Sequence, residues 1–359
     1  MAAGLQTACP WTKAPVIINA PMGGFAGHAL ASAVSVAGGI GMIGAVFDMN
    51  ELSENLTSAR ETLAAHIEKS DPWHPANSPI LPLGVGLLPF VANIDTAMPV
   101  IAQHKPAILW LFAAKELSDY AAWRTRLRAA SPDTQLWVQV GSVSAALEVA
   151  RTAAPDVLVM QGADAGGHGF ARGAGIVSLL PEASDALVAA GLGHVPLVAA
   201  GGIAEGRGVA SAVALGAAGA VMGTRFLAAE ETMMHPAYRA AVLGARDGAV
   251  STARAHVFDE LRGPNIWPPL YDGRALTTES YADWKQGVDI EQIRTRCKEA
   301  AAGEDAGYSS RVAVWAGAGV GLVNKVLPAA QIVQEVRDAA TDALRNALSK
   351  IGSHASRDS

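Results

Sequence analysis

One histidine lies among small residues in the segment 161–169 (QGADAGGHG). His168 can give or take a proton near neutral pH, and the glycines around it let a ligand approach the backbone closely. A mostly apolar run at 156–160 (DVLVM) comes directly before it, which predicts a loop at the carboxyl end of a buried strand. Such loops commonly carry the chemistry of α/β enzymes. Proton transfer by His168 is one hypothesis, and a histidine that only packs is the other.

Two glycine turns later in the chain could bind an anion. Gly201 and Gly202 follow an apolar run at 195–200, and Gly223 follows another at 218–222. Backbone N–H groups in such turns converge on an anion beside a helix N-terminus. Because one strand–helix unit separates the turns, we expect them to be neighbours and to bind a phosphate at the rim of a barrel. Glycines that merely close tight turns are the alternative.

A turn of small residues after the first apolar run, 16–20, adds a third surface for close approach. Ala20, Gly23 and Gly24 would leave room for a ring, and Met22 could pack on its face. A phosphate site together with small residues along one rim indicates a flat cofactor with a phosphate tail. Flavin mononucleotide (FMN) has that shape, and the chain lacks the adenosine-binding pattern that a dinucleotide would need.

The elements that must position these residues alternate between apolar runs and helical segments. Eight runs, each followed by a helical stretch, are the number expected for a (β/α)8, or TIM, barrel of the α/β class. A doubly wound sheet is the alternative, but its Gly-x-Gly-x-x-Gly turn is not clean here. The predicted strands are 16–20, 39–45, 81–87, 107–112, 135–140, 156–160, 195–200 and 218–222.

The alternation ends after the eighth run. We predict an FMN-binding barrel over 1–230, an added and mainly helical cap or subdomain over 231–313, and a returning segment with a closing amphipathic helix over 314–351. Within the added part, 262–270 is rich in turn residues and 281–302 has a helical pattern. Aromatic residues there, which are candidates for contact with a substrate, are Trp267, Tyr271 and Tyr281.

Composition narrows the class of protein. Half of the 359 residues are hydrophobic and 17% are charged, which suits a large aliphatic core. The net charge is −6 without a basic run, so we expect no nucleic-acid partner. Cys9 and Cys297 are too few for a disulfide framework or a zinc site, and no metal is expected. No leader pattern and no apolar stretch of about 18 residues occurs, so we expect a cytoplasmic protein outside the membrane. The sequence leaves open whether the protein forms homo-oligomers.

Four motifs, in order along the chain, resemble those of the nitronate monooxygenase family, formerly called 2-nitropropane dioxygenases. The likeness covers about 16–230, and 317–328 resembles the closing segment of the family. It implies a TIM barrel that binds FMN and oxidises alkyl nitronates or nitroalkanes with O2. The motifs are 20–24 (APMGG), 161–169 (QGADAGGHG), 199–208 (AAGGIAEGRG) and 222–226 (MGTRF).

The resemblance also implies roles for single residues. His168 matches the catalytic base of the family, which would take the α-proton of a neutral nitroalkane or, when protonated, hold an anionic nitronate over the flavin. Electrons would pass to the flavin and from it to O2. The positions that match or border the cofactor site are Ala20, Met22, Gly23, Gly24, Gln139, Gln161, Gly162, Gly167, Ala200, Gly201, Gly202, Gly223 and Thr224.

Three residues depart from the family pattern, and other functions stay open. Gly86 and Gln139 stand where Asn and Lys are common, and Asp164 replaces a commoner Glu. A neutral Gln139 would not supply the charge of a lysine to a reduced flavin. One alternative is an NAD(P)H-dependent flavin enzyme, either an enoyl-acyl-carrier-protein reductase or a quinone reductase, on the same frame. Another is a flavin-binding protein without turnover.

Overall fold

The chain folds as a nearly closed barrel of eight parallel strands surrounded by helices, which confirms the predicted TIM barrel. The computed structural model describes residues 2–44 and 48–352. Ala45, the end of the second predicted strand, lies outside that range. The barrel strands are β1 (Ile17–Asn19), β2 (Met42–Ile43), β3 (Leu81–Leu87), β4 (Pro106–Leu111), β5 (Gln135–Val140), β6 (Val157–Gln161), β8 (Leu197–Ala200) and β9 (Gly219–Met222), while β7 (Gly167–Phe170) lies outside the barrel.

The barrel strands are apolar on both faces because side chains fill the interior on one side and helices cover the other. Every residue of β3 and β4 is buried. Trp110 and Trp137, on neighbouring strands, are among the largest fully buried side chains, and their ring centroids lie 6.1 Å apart. The interior is therefore a packed core whose open end can hold a ligand.

The barrel closes between β1 and the short strand β2 with the help of one side chain. The Ile40 N–H donates to the Ile17 carbonyl over 2.9 Å. Beyond this bond, the buried Asn19 amide accepts from the Met42 N–H over 2.8 Å and donates to the Met42 carbonyl over 2.8 Å. The side chain of Asn19 therefore satisfies backbone groups that a continued strand pair would otherwise satisfy.

Helices alternate with the strands and continue into the added segment, which we define as residues 231–313. Short 3-10 helices occupy Leu117–Asp119 and Ala318–Leu322. The helices of the barrel are α1 (Ala2–Ala8), α2 (His28–Val36), α3 (Met49–His66), α4 (Ile94–His104), α5 (Tyr120–Ala130), α6 (Val143–Thr152), α7 (Ile176–Ala189), α8 (Gly206–Ala214) and α9 (Thr224–Leu227). Those that follow are α10 (Pro236–Gly244), α11 (Gly248–Ser251), α12 (Val257–Glu260), α13 (Glu279–Lys285), α14 (Ile290–Ala301) and α15 (Ala329–Gly352).

The closing helix α15 returns to the barrel and packs on α8 and α2. A Cβ on Gly206 would lie 2.5 Å from the Cβ of Ala339, so glycine is what allows this close approach. Arg337 is buried and donates to the carbonyls of Gly38, over 2.8 Å, and Ala37, over 3.2 Å. Burial lowers the pKa of this guanidinium. The arginine thus satisfies carbonyls at the C-terminal end of α2.

The added segment contributes a small sheet as well as helices. β10 (Thr252–Arg254) and β11 (Tyr271–Leu276) are antiparallel, and β11 also pairs with β7. The sequence predicted a loop throughout 161–169, whereas its last residues are strand. The reason is a pairing partner about a hundred residues away, which no local pattern reveals.

The predicted helix at 281–302 is also divided. It ends and restarts around Gly287, whose φ of 78° is left-handed, so α13 and α14 are separate helices. Within the two described stretches, no helix is both long and apolar enough to cross a bilayer.

Candidate active site

An open cleft lies at the carboxyl ends of β1, β5, β6, β8 and β9. Small residues form most of its wall, as expected for a surface that a flat ligand approaches closely. Eight of the residues predicted to contact a cofactor line it together: Ala20, Gln139, Gln161, Ala200, Gly201, Gly202, Gly223 and Thr224.

The remaining predicted residues are not among those that line the cleft. Met22 is beside Gly223, since a Cβ on that glycine would be 3.8 Å from the Met22 sulfur. Gly162 packs against the start of α7, where a Cβ would approach the Ile176 nitrogen to 2.9 Å. The residues in this group are Met22, Gly23, Gly24, Gly162, Gly167 and His168.

The turn after β8 has the shape that the sequence predicted. Gly201 and Gly202 have φ angles of 97° and 75°, which other residues rarely adopt. A Cβ on Gly201 would lie 2.7 Å from the Gly162 carbonyl oxygen. The Glu205 carboxylate caps α8 by accepting from the Gly208 N–H over 3.3 Å. Gly223 and Thr224, at the start of α9, also line the cleft.

Further lining residues were not among the predicted cofactor contacts. Gly317 and Gly319 belong to the segment before α15, and the Gly317 N–H donates to the Thr224 hydroxyl over 2.9 Å. The Ala318 N–H donates to the Asp164 carbonyl over 2.9 Å. These bonds hold the returning chain against the turns after β6 and β9. The other unpredicted lining residues are Trp110, Ala165, Gly166, Ile203, Ala204 and Val221.

A buried hydrogen bond orients Gln139 within the cleft. The Trp110 indole N–H donates to the Gln139 carbonyl oxygen over 3.2 Å, and both side chains are buried. With its oxygen engaged, Gln139 has its NH2 group left to donate to a ligand.

The absence of a side chain at Gly86 has a physical reason, because a Cβ there would be 2.4 Å from the Cβ of Pro21. A larger residue at position 86 would displace the turn after β1.

Several neighbours hold the side chain of His168 in place. On β7 it lies opposite Gly273 of β11. Its Nε2 lies 2.6 Å from Oδ1 of Asp259, on α12. The ring stacks on Trp267, with centroids 3.6 Å apart and 10° between the planes. Trp315 contacts it at a centroid distance of 4.7 Å. The side chain is only 15% exposed, so its orientation is set by its neighbours.

One hydrogen bond joins the backbone of His168 to the cleft wall. The Gln161 side-chain amide, which lines the cleft, donates to the His168 carbonyl over 3.0 Å. A Cβ on Gly169 would lie 2.6 Å from the Gln161 amide oxygen, so the glycine leaves room for this side chain. The histidine and the cleft wall are thus parts of one packed unit.

Of the three aromatic residues proposed to contact a substrate, one lies beside His168. Trp267 stacks on it. Tyr271 is buried, and its hydroxyl donates to the Ala114 carbonyl over 3.1 Å. Tyr281 stacks on Phe258, with centroids 5.7 Å apart. The structure therefore brings only Trp267 of the three to the histidine.

Comparison with known proteins defines the family. The model of the nitronate monooxygenase family matches residues 125–338, more than half of the chain. The chain belongs to the nitronate monooxygenase family. It is 42% identical to nitronate monooxygenase npaC of Metarhizium robertsii over 97% of both chains. These relationships identify it as an oxidoreductase.

Two solved structures share the fold. FabK from Thermotoga maritima matches with a TM-score of 0.72 and 23% identity, covering 98% of both chains. Nitroalkane oxidase from Streptomyces ansochromogenes matches with a TM-score of 0.69 and 23% identity, covering 93% of this chain and 98% of the other. At this level of identity, the likeness supports the barrel architecture alone.

Proposed function

We propose that this member of the nitronate monooxygenase family binds FMN in the cleft and oxidises alkyl nitronates or nitroalkanes with O2. His168 is the group that handles the substrate proton or the nitronate charge. The observation that carries the proposal is a histidine that Asp259 and Trp267 hold in place and whose backbone is bonded to Gln161 in the wall of a cleft rich in glycine and alanine.

The cleft residues fit a flat ring with an anionic tail. Gly201, Gly202 and Gly223 expose backbone where a side chain would exclude a phosphate, and the Thr224 hydroxyl is nearby. The Gln139 amide can donate to a polar ring edge. When bound, FMN would supply electron transfer between substrate and O2. These residues would hold the cofactor at the carboxyl ends of the strands, where barrels carry their active sites.

His168 can act in either protonation state. A neutral imidazole takes the α-proton of a nitroalkane, and the C–H electron pair moves into the nitro group to give a nitronate. A protonated imidazole donates a hydrogen bond to a nitronate that is already formed. The low exposure of the ring keeps water from competing for either interaction.

The cofactor is tested first by its spectrum and by its effect on thermal stability. Purified protein should be yellow, and FMN added to the apoprotein should raise the melting temperature. A free FMN concentration 100 times the dissociation constant would stabilise the folded protein by about 2.7 kcal/mol. The cofactor assignment would be refuted if the protein is colourless and added FMN does not change its melting temperature.

The reaction is tested by anaerobic mixing of the yellow protein with propyl-2-nitronate. We expect bleaching of the flavin, return of the colour on admission of O2, and loss of turnover in His168→Asn with the flavin still bound. Bleaching by NADH or NADPH, with none by the nitronate, would instead establish a reductase. Turnover that is unchanged in His168→Asn would remove this residue from the chemistry.

A further inference from the structure

Asp259 is the least expected residue of the site, because it comes from the added segment and not from the barrel. We propose that Asp259 is a positioning residue that holds the Nε2–H of His168 and so makes Nδ1 the nitrogen that meets the substrate. This inference rests on the proposed function, in which His168 acts on a nitroalkane or a nitronate.

The contact is short, buried and restricted to one ring nitrogen. Asp259 Oδ1 lies 2.6 Å from Nε2 of His168, and the aspartate side chain is 5% exposed. Its Oδ2 is buried and, in the described part of the chain, has no hydrogen-bond partner. An ionised carboxylate only accepts hydrogen bonds, so Nε2 must carry a hydrogen as the donor. The aspartate thereby selects one tautomer of the neutral ring.

Packing prevents the ring from leaving this arrangement. Trp267 covers one face at a centroid distance of 3.6 Å, and Trp315 lies 4.7 Å away. A Cβ on Gly273 would lie 2.4 Å from Trp315 and 3.4 Å from the Nε2 atom. The small residue opposite His168 on β11 therefore leaves space for both rings. With rotation restricted, the hydrogen bond to Asp259 determines the protonated nitrogen.

The consequence for the reaction is the same in both protonation states. In the neutral ring, Nδ1 has the lone pair that takes the α-proton of a nitroalkane, whose C–H electrons pass into the nitro group. The imidazolium that forms keeps its Nε2–H on the Asp259 carboxylate, which balances the new positive charge. In the protonated ring, Nδ1–H donates to a nitronate oxygen. Asp259 orients His168 without touching the substrate.

A purely structural role for Asp259, in which it only joins α12 to β7, makes a different prediction. In that case the tautomer of His168 would not depend on the carboxylate, and substitution would change stability alone. The spectroscopic signature of the imidazole therefore separates the two roles.

The first test is ¹⁵N NMR of the holoenzyme labelled in its histidines, with His168 assigned by the signals lost in His168→Gln. At a pH where the ring is neutral, we expect a pyridine-type shift for Nδ1 and a pyrrole-type shift for Nε2. The opposite pattern would overturn the proposal. This measurement needs no substitution at position 259, so it is informative even if variants there fold poorly.

The second test compares Asp259→Asn with Glu260→Gln, which removes a carboxylate from the adjacent position on the same helix. Asp259→Asn should mix the two tautomers and lower kcat with a neutral nitroalkane by about 100-fold, within the range that general base catalysis contributes. The effect on KM should be small. Glu260→Gln should change neither the spectrum nor kcat. Unchanged imidazole shifts in Asp259→Asn would refute the positioning role.

Failure of this inference and failure of the proposed function can be told apart. If the holoenzyme oxidises no nitronate or nitroalkane while the imidazole shows the expected tautomer, the proposed function fails and the hydrogen-bond assignment stands. If it oxidises nitronates but the tautomer is reversed, only the inference is wrong.

Discussion

Replacing His168 by Leu should destabilise the fold because it leaves the buried Asp259 without its hydrogen-bond partner. The Asp259 side chain is 5% exposed and its Oδ2 has no partner in the described residues, so Nε2 of His168 is the hydrogen-bond partner of this carboxyl group. Leaving a buried polar group without its hydrogen-bond partner costs about 1–3 kcal/mol, and more when the group is charged. We therefore expect a loss of about 3 kcal/mol in the free energy of unfolding.

The assay is a double-mutant cycle, in which the free energy of unfolding of each apoprotein variant is measured with urea or heat. Asp259→Asn in the His168→Leu background removes the carboxyl group that has lost its partner and should recover about 0.5–3 kcal/mol, the usual size of coupling between residues in contact. Glu260→Gln in the same background should recover nothing. A His168→Leu protein that unfolds at the wild-type midpoint would refute the reasoning, and so would equal midpoints for the single and double variants.

Three further predictions concern the barrel and the cleft. Asn19→Leu leaves both backbone groups of Met42 unpaired in the core, so it should cost about 2–4 kcal/mol of unfolding free energy; a melting temperature within 1–2 °C of wild type would contradict this. Gly201→Ala forces a side chain into a φ of 97° and against a carbonyl, so equilibrium dialysis should show FMN binding at least about tenfold weaker. Burial raises the pKa of the Cys9 thiol from 9.0 to about 12, so the thiol ionises more readily in the unfolded chain. The stability from Cys9 is present below pH 9 and is lost as pH rises towards 12, and alkylation at pH 8 should require unfolding.

The elements of the barrel could be predicted because each carries a local signal. Parallel strands buried on both faces are continuous apolar runs, and all eight runs became barrel strands. The glycine turns of the cleft were visible for a similar reason. Gly201 and Gly202 adopt backbone angles that other residues avoid, so their positions can be recognised from residue type.

The surroundings of His168 could not be predicted, since they depend on pairings between distant parts of the chain. β7 is a strand only because β11 lies beside it, and a glycine-rich segment gives no periodic signal of its own. Asp259 lies on a helix of four residues in a segment without apolar periodicity. Trp110 was predicted within a strand, but the sequence did not show that its indole would orient Gln139.

The pairing of β7 with β11 also means that several neighbours of His168 come from one continuous segment of the chain. An exchange of residues 231–313 between two relatives would transfer β11, Asp259 and Trp267 together. The recipient barrel would keep its glycine turns, and with them its hold on a cofactor, while the histidine acquired new neighbours. Divergence in this family could therefore alter the reaction without rebuilding the barrel, and chimeras offer a direct way to retrace it.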